Sequence, residues 1–220
     1  MPGPVGILGG TFDPIHYAHL RLAEELADAM DLVEVRFVPA SIPPHRASPQ
    51  VSVSHRVDMV RLACADNARF VLDDRECRRA GPSYTVDTLL ELRAELGSAC
   101  SLCLLMGLDA FLGLTSWSRW DQLFDLANIV IAHRPGFALD GGAVPAQLAR
   151  ELDTRQAQAL REVRGSPAGR VWLQAITPLD ISATAIREAI RQRRSPRYLL
   201  PDSVLDYIHC NSLYKDLDAG

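Results

Sequence analysis

The chain has 220 residues, 48% of them hydrophobic, which by the rule of roughly 100–200 residues per domain suits one domain or one domain with an appendage. Lys and Arg number 23 against 27 Asp and Glu, and the net charge of -4 argues against a general nucleic-acid coat and against an anionic membrane surface. With no signal-peptide pattern and no run near the ~18 consecutive apolar residues of a spanning helix, a cytoplasmic enzyme without nucleic-acid or membrane partners is expected.

Val5 to Gly9 is predicted as a short buried strand, and Tyr17 to Met30 as a helix, with Leu20, Ala23, Leu26, Ala27 and Met30 at helical spacing. A strand at Glu34–Val38 follows, then a helix over about His55–Asn67 capped by Ser54, and a strand at Phe70–Leu72. A helix over about Thr85–Leu96, a strand at Ser101–Met106, a helical stretch around Trp120–Leu126 and strands at Asn128–Ala132 and Val171–Ala175 continue the alternation. From Ala183 onward the pattern is helical, with AIREAIRQRR, a turn at Ser195 to Arg197 and a second helix at about Asp202–His209 beginning after Pro201. Such alternation predicts an α/β fold, a doubly wound parallel sheet whose ligand crevice lies beyond the carboxyl ends of its strands. One domain over residues 1–220 is expected, with a helical C-terminal subregion from about 183. Loops at Ser41 to Val51 and Pro135 to Pro145 are candidate lids by length and position.

The cysteines Cys64, Cys77, Cys100, Cys103 and Cys210 are odd in number and scattered, so reduced thiols are expected. In the C-S-L-C run an offset of three along a strand sends the sulfurs of Cys100 and Cys103 to opposite faces, against a metal or redox pair.

The first strand runs into Gly9-Gly10-Thr11-Phe12-Asp13-Pro14-Ile15-His16-Tyr17-Ala18-His19, just before the first helix. Paired glycines let a polyphosphate approach backbone N–H groups, and a helix N-terminus favours negative charge through its unpaired amides and dipole. His16 and His19, three apart in the first turn, can point together and donate ring N–H bonds to phosphate oxygens. The run is neither a Walker A loop nor the G-x-G-x-x-G of dinucleotide-binding domains. A capping pair or a zinc pair is the bland alternative for the histidines, but zinc needs further ligands and a spacing of four on a helix. Near the other end, Ile181-Ser182-Ala183-Thr184-Ala185-Ile186-Arg187 precedes and opens a helix. Ser182 is a natural cap there, while Thr184, Arg187 and the helix amides can converge on one anion.

These two runs resemble the G-G-T-F-D-P-x-H-x-G-H and I-S-S-T-x-I-R motifs of the nucleotidyltransferase superfamily, with Ala18 and Ala183 at the two departures. Between them, Ser83-Tyr84-Thr85-Val86-Asp87-Thr88-Leu89, Gly107-Leu108-Asp109, the segment holding Trp117, Arg134-Pro135-Gly136 and Pro43-Pro44-His45-Arg46 resemble motifs of nicotinate-nucleotide adenylyltransferases. The resemblance covers the chain from Gly9 to Arg187 and implies a Rossmann-like nucleotidyltransferase fold. It implies adenylyl transfer from ATP to nicotinate mononucleotide, with His16, His19 and Arg187 catalytic. Gly9, Gly10, Thr11, Phe12, Gly107, Asp109, Ile181, Ser182 and Thr184 would complete the ATP site. His45, Arg46, Tyr84, Thr85, Asp109, Trp117 and Arg134 would hold the mononucleotide.

Each of the weaker positions also has a reading of its own. Trp117 can stack on a pyridine ring or belong to the core; Thr85 heads a helix whose amides can hold a carboxylate, or simply opens it; Asp109 can accept ribose hydroxyls or cap the next helix. No carboxylate cluster is evident to cage Mg²⁺, which is expected to arrive on ATP, held by phosphates and water. Other nucleotidyltransferases, a nucleotide-binding regulator and an oxidoreductase are the competing classes, and a homo-oligomer is left open.

Overall fold

The computed structural model describes residues 3–43, 48–136 and 144–215. Six parallel strands form one sheet in the order β3-β2-β1-β4-β5-β6. They are β1 (Val5–Gly10), β2 (Glu34–Pro39), β3 (Phe70–Leu72), β4 (Leu102–Gly107), β5 (Asn128–His133) and β6 (Val171–Ala175). The helices are α1 (Tyr17–Met30), α2 (Val53–Cys64), α3 (Arg75–Arg78), α4 (Thr85–Leu96), α5 (Leu108–Leu112), α6 (Leu123–Leu126), α7 (Ala146–Arg155), α8 (Leu160–Arg164), α9 (Ala183–Arg191) and α10 (Asp202–Cys210). No described helix is long and apolar enough to cross a membrane.

Because side chains alternate along a strand, the central strands are apolar on both faces and feed two cores. Leu8, Cys103, Leu105, Val130 and Ala132 face α1, α2, α9 and α10. Val5, Ile7, Leu102, Leu104, Met106, Ile129 and Ile131 face α4, α5, α6 and α7. Cys100 and Cys103 fall in opposite cores, although Cys100 lies before β4 begins at Leu102 and is not part of the strand. All five cysteines are free thiols, Cys210 exposed and Cys77 half-buried.

The differences from the sequence reading lie at element ends and in short helices. Helix α2 begins at Val53, not His55, because Ser52 rather than Ser54 is its N-cap, its Oγ accepting from His55 N at 3.4 Å. It ends at Cys64 because Asn67 turns the chain into β3, its Oδ1 accepting from Arg69 N at 3.0 Å. The expected stretch Trp120–Leu126 is a 3-10 turn, Trp120–Gln122, followed by α6. Helix α9 stops before the end of the AIREAIRQRR pattern. Arg193 adopts a left-handed φ of 56°, and its N–H and that of Arg194 bond Ile190 O and Ala189 O at 3.0 and 2.8 Å, a Schellman closure.

The C-terminal helices return to the start of the chain. Tyr17 N donates to Leu199 O at 3.0 Å, and Tyr207 Oη donates to Asp58 Oδ2 on α2 at 3.0 Å. This return brings the second sequence motif beside the first.

Candidate active site

Strand order reverses between β1 and β4, and there the sheet opens. The pairing of β1 with β2 continues to Gly10 and Pro39, whereas its pairing with β4 stops at Ile7 and Leu104. The carboxyl ends of two neighbouring strands therefore part, the place where open α/β sheets bind ligands. A Cβ added at Gly9 or Gly107 would meet nothing within 4 Å, so both glycines border open space. Gly10 has a different reason to be glycine, since a Cβ there would sit 2.9 Å from the ring of Phe12. That ring is only 2% exposed and packs beside Phe37, so Phe12 offers the crevice its backbone and not its side chain. Thr11 is half-buried in the same loop.

His16 occupies the N-cap of α1, and its carbonyl accepts from His19 N at 3.0 Å. Its own backbone N–H donates to His19 Nδ1 at 3.3 Å. Because a backbone N–H can only donate, His19 Nδ1 is an acceptor, and the neutral ring carries its proton on Nε2. The two imidazoles stack with centroids 3.8 Å apart and planes 24° off parallel. His16 is 5% exposed, and burial pushes its pKa down to about 4. Its Nδ1 is buried without a hydrogen-bond partner. Among the described residues no group of three or more His, Cys, Asp or Glu is arranged to hold a metal, so the zinc alternative finds no further ligands there.

The second motif arrives from α9. Ser182 caps that helix, its Oγ accepting from Ala185 N at 3.2 Å, and Ile181 packs against the core. Arg187 donates through Nη1 to Asp13 O at 2.7 Å and through Nη2 to Thr184 Oγ1 at 3.3 Å. Its Nε is buried without a partner. Thus the guanidinium of the second motif is bonded to the backbone of the first, with the exposed Thr184 hydroxyl beside it.

Three residues that sequence reasoning missed hold this junction. The Asp13 carboxylate is 6% exposed and accepts from Tyr214 Oη at 2.7 Å and from Gln50 N at 2.8 Å. Burial and Asp13 push the Tyr214 hydroxyl well above the ordinary phenol range, so it stays a donor. Arg56 is 1% exposed, its guanidinium donating to Thr11 O at 2.8 Å, Ala40 O at 2.6 Å and Ser41 O at 3.1 Å. A signal for Arg56 existed: it shares one helical face with Val57, Val60 and Cys64, where an unpaired charge has no place.

The residues expected to hold the mononucleotide are more dispersed. Tyr84 is the N-cap of α4 without a side-chain cap bond, and Thr85 is the first helical residue. The half-buried Trp117 packs against the core that holds α4 to α7, and Arg119 pairs with Asp87 at 2.5 Å, which ties its segment to the first turn of α4. Asp109 is exposed in the first turn of α5, whose N-cap is Gly107, so Asp109 is not the cap. Arg134 is exposed just past β5. His45 and Arg46, and with them parts of both candidate lids, lie outside the described residues.

The cytidylyltransferase-like family model matches residues 7–189. A protein of Halorhodospira halophila named probable nicotinate-nucleotide adenylyltransferase is 56% identical over 91% of this chain and 90% of its own. One of the same name from Dechloromonas aromatica is 51% identical over 98% and 100%. Among solved structures, the nicotinic acid mononucleotide adenylyltransferase of Plasmodium falciparum, complexed with NaAD, has the same fold, with a TM-score of 0.71 at 20% identity over 96% of this chain and 97% of that one. The chain belongs to the nicotinate-nucleotide adenylyltransferases of the cytidylyltransferase-like family.

Proposed function

We propose that the chain transfers the adenylyl group of ATP to nicotinate mononucleotide, giving nicotinate adenine dinucleotide and pyrophosphate, and that it does so in the cytoplasm on these small-molecule substrates. The observation that carries the reading is the junction of the two motifs, where Arg187 bonds the Asp13 carbonyl within a loop that opens onto the parted ends of β1 and β4. The attacking group is the 5′-phosphate of the mononucleotide. Its second pKa is about 6, so it is anionic at neutral pH and needs no general base. The task left to the protein is to align two polyanions and offset their repulsion.

The groups at the crevice suit that task. The His19 Nε2–H is a neutral donor, Arg187 brings a permanent charge, and the amides after Gly9 lead into the positive end of α1. Together they would stabilise charge on the α-phosphate and the departing pyrophosphate. Mg²⁺ would enter on ATP, neutralising phosphate oxygens and held by them and by water. The carboxylate of the pyridine ring would meet the first amides of α4 at Thr85, with Trp117 against the ring and Asp109 near the ribose hydroxyls. His45, Arg46 and Arg134 are assigned to the mononucleotide on the family motifs alone.

Charge-assisted hydrogen bonds are roughly twice as strong as neutral ones, so the nicotinate form should exceed the nicotinamide form in kcat/KM by at least about tenfold, about 1.4 kcal/mol. Pyrophosphate release with each mononucleotide at saturating Mg-ATP measures this. Equal rates, or faster use of the amide, would remove the acid specificity while leaving adenylyl transfer in place.

Replacing His19 by Ala should lower kcat by about 100- to 1,000-fold, the usual effect of losing a donor aimed at developing charge, and change ATP affinity far less. A variant turning over at the wild-type rate would make the stacked pair purely structural.

His16 supplies a pH test with a definite sign. Its folded pKa of about 4 lies below the ordinary value of 6.5, so between those limits the unfolded chain binds a proton that the native chain does not. The stability gained by keeping it neutral is complete above about pH 6.5 and is lost as pH falls toward about 4. Urea unfolding at pH 7 and pH 4.5 should show a steeper loss for the wild type than for His16→Gln; parallel losses would refute it.

A further inference from the structure

Arg56 is a fully buried cation that makes no hydrogen bond to a carboxylate among the described residues, although the buried Asp13 carboxylate favours its charge. Its partners are three backbone carbonyls from two loops: Thr11 O from the loop after β1, and Ala40 O and Ser41 O from the loop after β2. Carbonyl dipoles converging on one point repel one another, and a guanidinium between them turns that repulsion into attraction. The loop after β2 is bonded in turn to the segment entering α4. Ser41 N donates to Ser83 Oγ at 2.9 Å, and Ser83 N donates to Ile42 O at 3.0 Å. A continuous path therefore runs from Thr11 through Arg56, Ser41 and Ser83 to the N-terminus of α4. It joins the half of the crevice assigned to ATP to the half assigned to the mononucleotide. Among the described residues the pairing of β1 with β4 ends at Ile7, where the strands have parted.

We infer that Arg56 is a positioning residue that sets the spacing between the two substrate-binding halves, so that alignment of the attacking phosphate on the α-phosphorus depends on it. The inference rests on the adenylyl-transfer reading above. Arg56 touches neither substrate in this account. It acts through the carbonyls it holds, and Ser83 is the next link along the same path. A displacement of about 1 Å at reacting atoms can cost on the order of 100-fold in rate while each substrate still binds. The expected signature is therefore a loss in kcat with little change in either KM.

The test compares Arg56→Met, Arg56→Lys and Ser83→Ala with the wild type, measuring kcat, both KM values and the thermal unfolding midpoint. Arg56→Met should lose about 100-fold in kcat with each KM within about threefold, and Arg56→Lys should recover part of the loss because the charge survives without the planar fork. Ser83→Ala buries no charge; it should lose about tenfold in kcat with little change in midpoint. If Arg56→Met does not fold, the lysine and Ser83 variants carry the test. Variants with wild-type kcat, or a defect confined to one KM, would overturn the assignment of Arg56 alone. A wild-type enzyme inactive with nicotinate mononucleotide would instead overturn the functional reading and this inference with it.

Discussion

The structure depends on one strand keeping a neighbour on one side and losing it on the other. β1 stays paired with β2 to its last residue, so its carboxyl end keeps a backbone partner on one side, while β4 leaves it after Ile7 and makes a gap. A gap in a sheet core needs new partners for the chain that borders it. Arg56 bonds the carbonyl of Thr11 and Arg187 that of Asp13, while the Asp13 carboxylate takes its hydrogen bonds from Tyr214 and Gln50. The loop after β1 is thereby fixed from α2, from α9 and from the C-terminal end at once.

Under the proposed function, the groups around the gap are those a polyanion needs. A neutral, buried imidazole can donate a hydrogen bond without holding a resident anion as tightly as a lysine would. His16, with its pKa pushed down to about 4, stays in that state at neutral pH. Permanent charge is supplied by Arg187, whose bond to the Asp13 carbonyl fixes its direction. Tyr214 reaches the same Asp13 from beyond α10, so a residue far from the sequence motifs helps hold the loop after β1.

Much of this was legible in the sequence because the relevant patterns are long. All six strands and the helices α1, α4, α9 and α10 followed from periodicity, and the two terminal motifs met as their shared chemistry required. Helices α3, α7 and α8 were not placed, and α5 was read only as an unbounded helix after Asp109. Four- and five-residue helices such as α3, α5 and α8 are too short to show a period, and α7 follows a stretch read as loop. The start of α2 was misplaced because two serines two residues apart are equally good caps by type, and only the structure shows which oxygen accepts. Arg56, Asp13 and Tyr214 were missed for a related reason. Their partners are carbonyls or groups up to 201 positions away, so no spacing names the partner, and only the buried face of α2 marks Arg56 as needing one.

The central claim is that the two ends of the chain hold one triphosphate across the parted strands. Amide hydrogen exchange, which reports local opening segment by segment, tests it without mutation. A non-hydrolysable ATP analogue with Mg²⁺ should slow exchange in Gly9–Ile15 and in Ile181–Arg187 together, and nicotinate mononucleotide should then slow Tyr84–Leu89. Protection of only one of the two terminal segments, or of neither, would contradict the account.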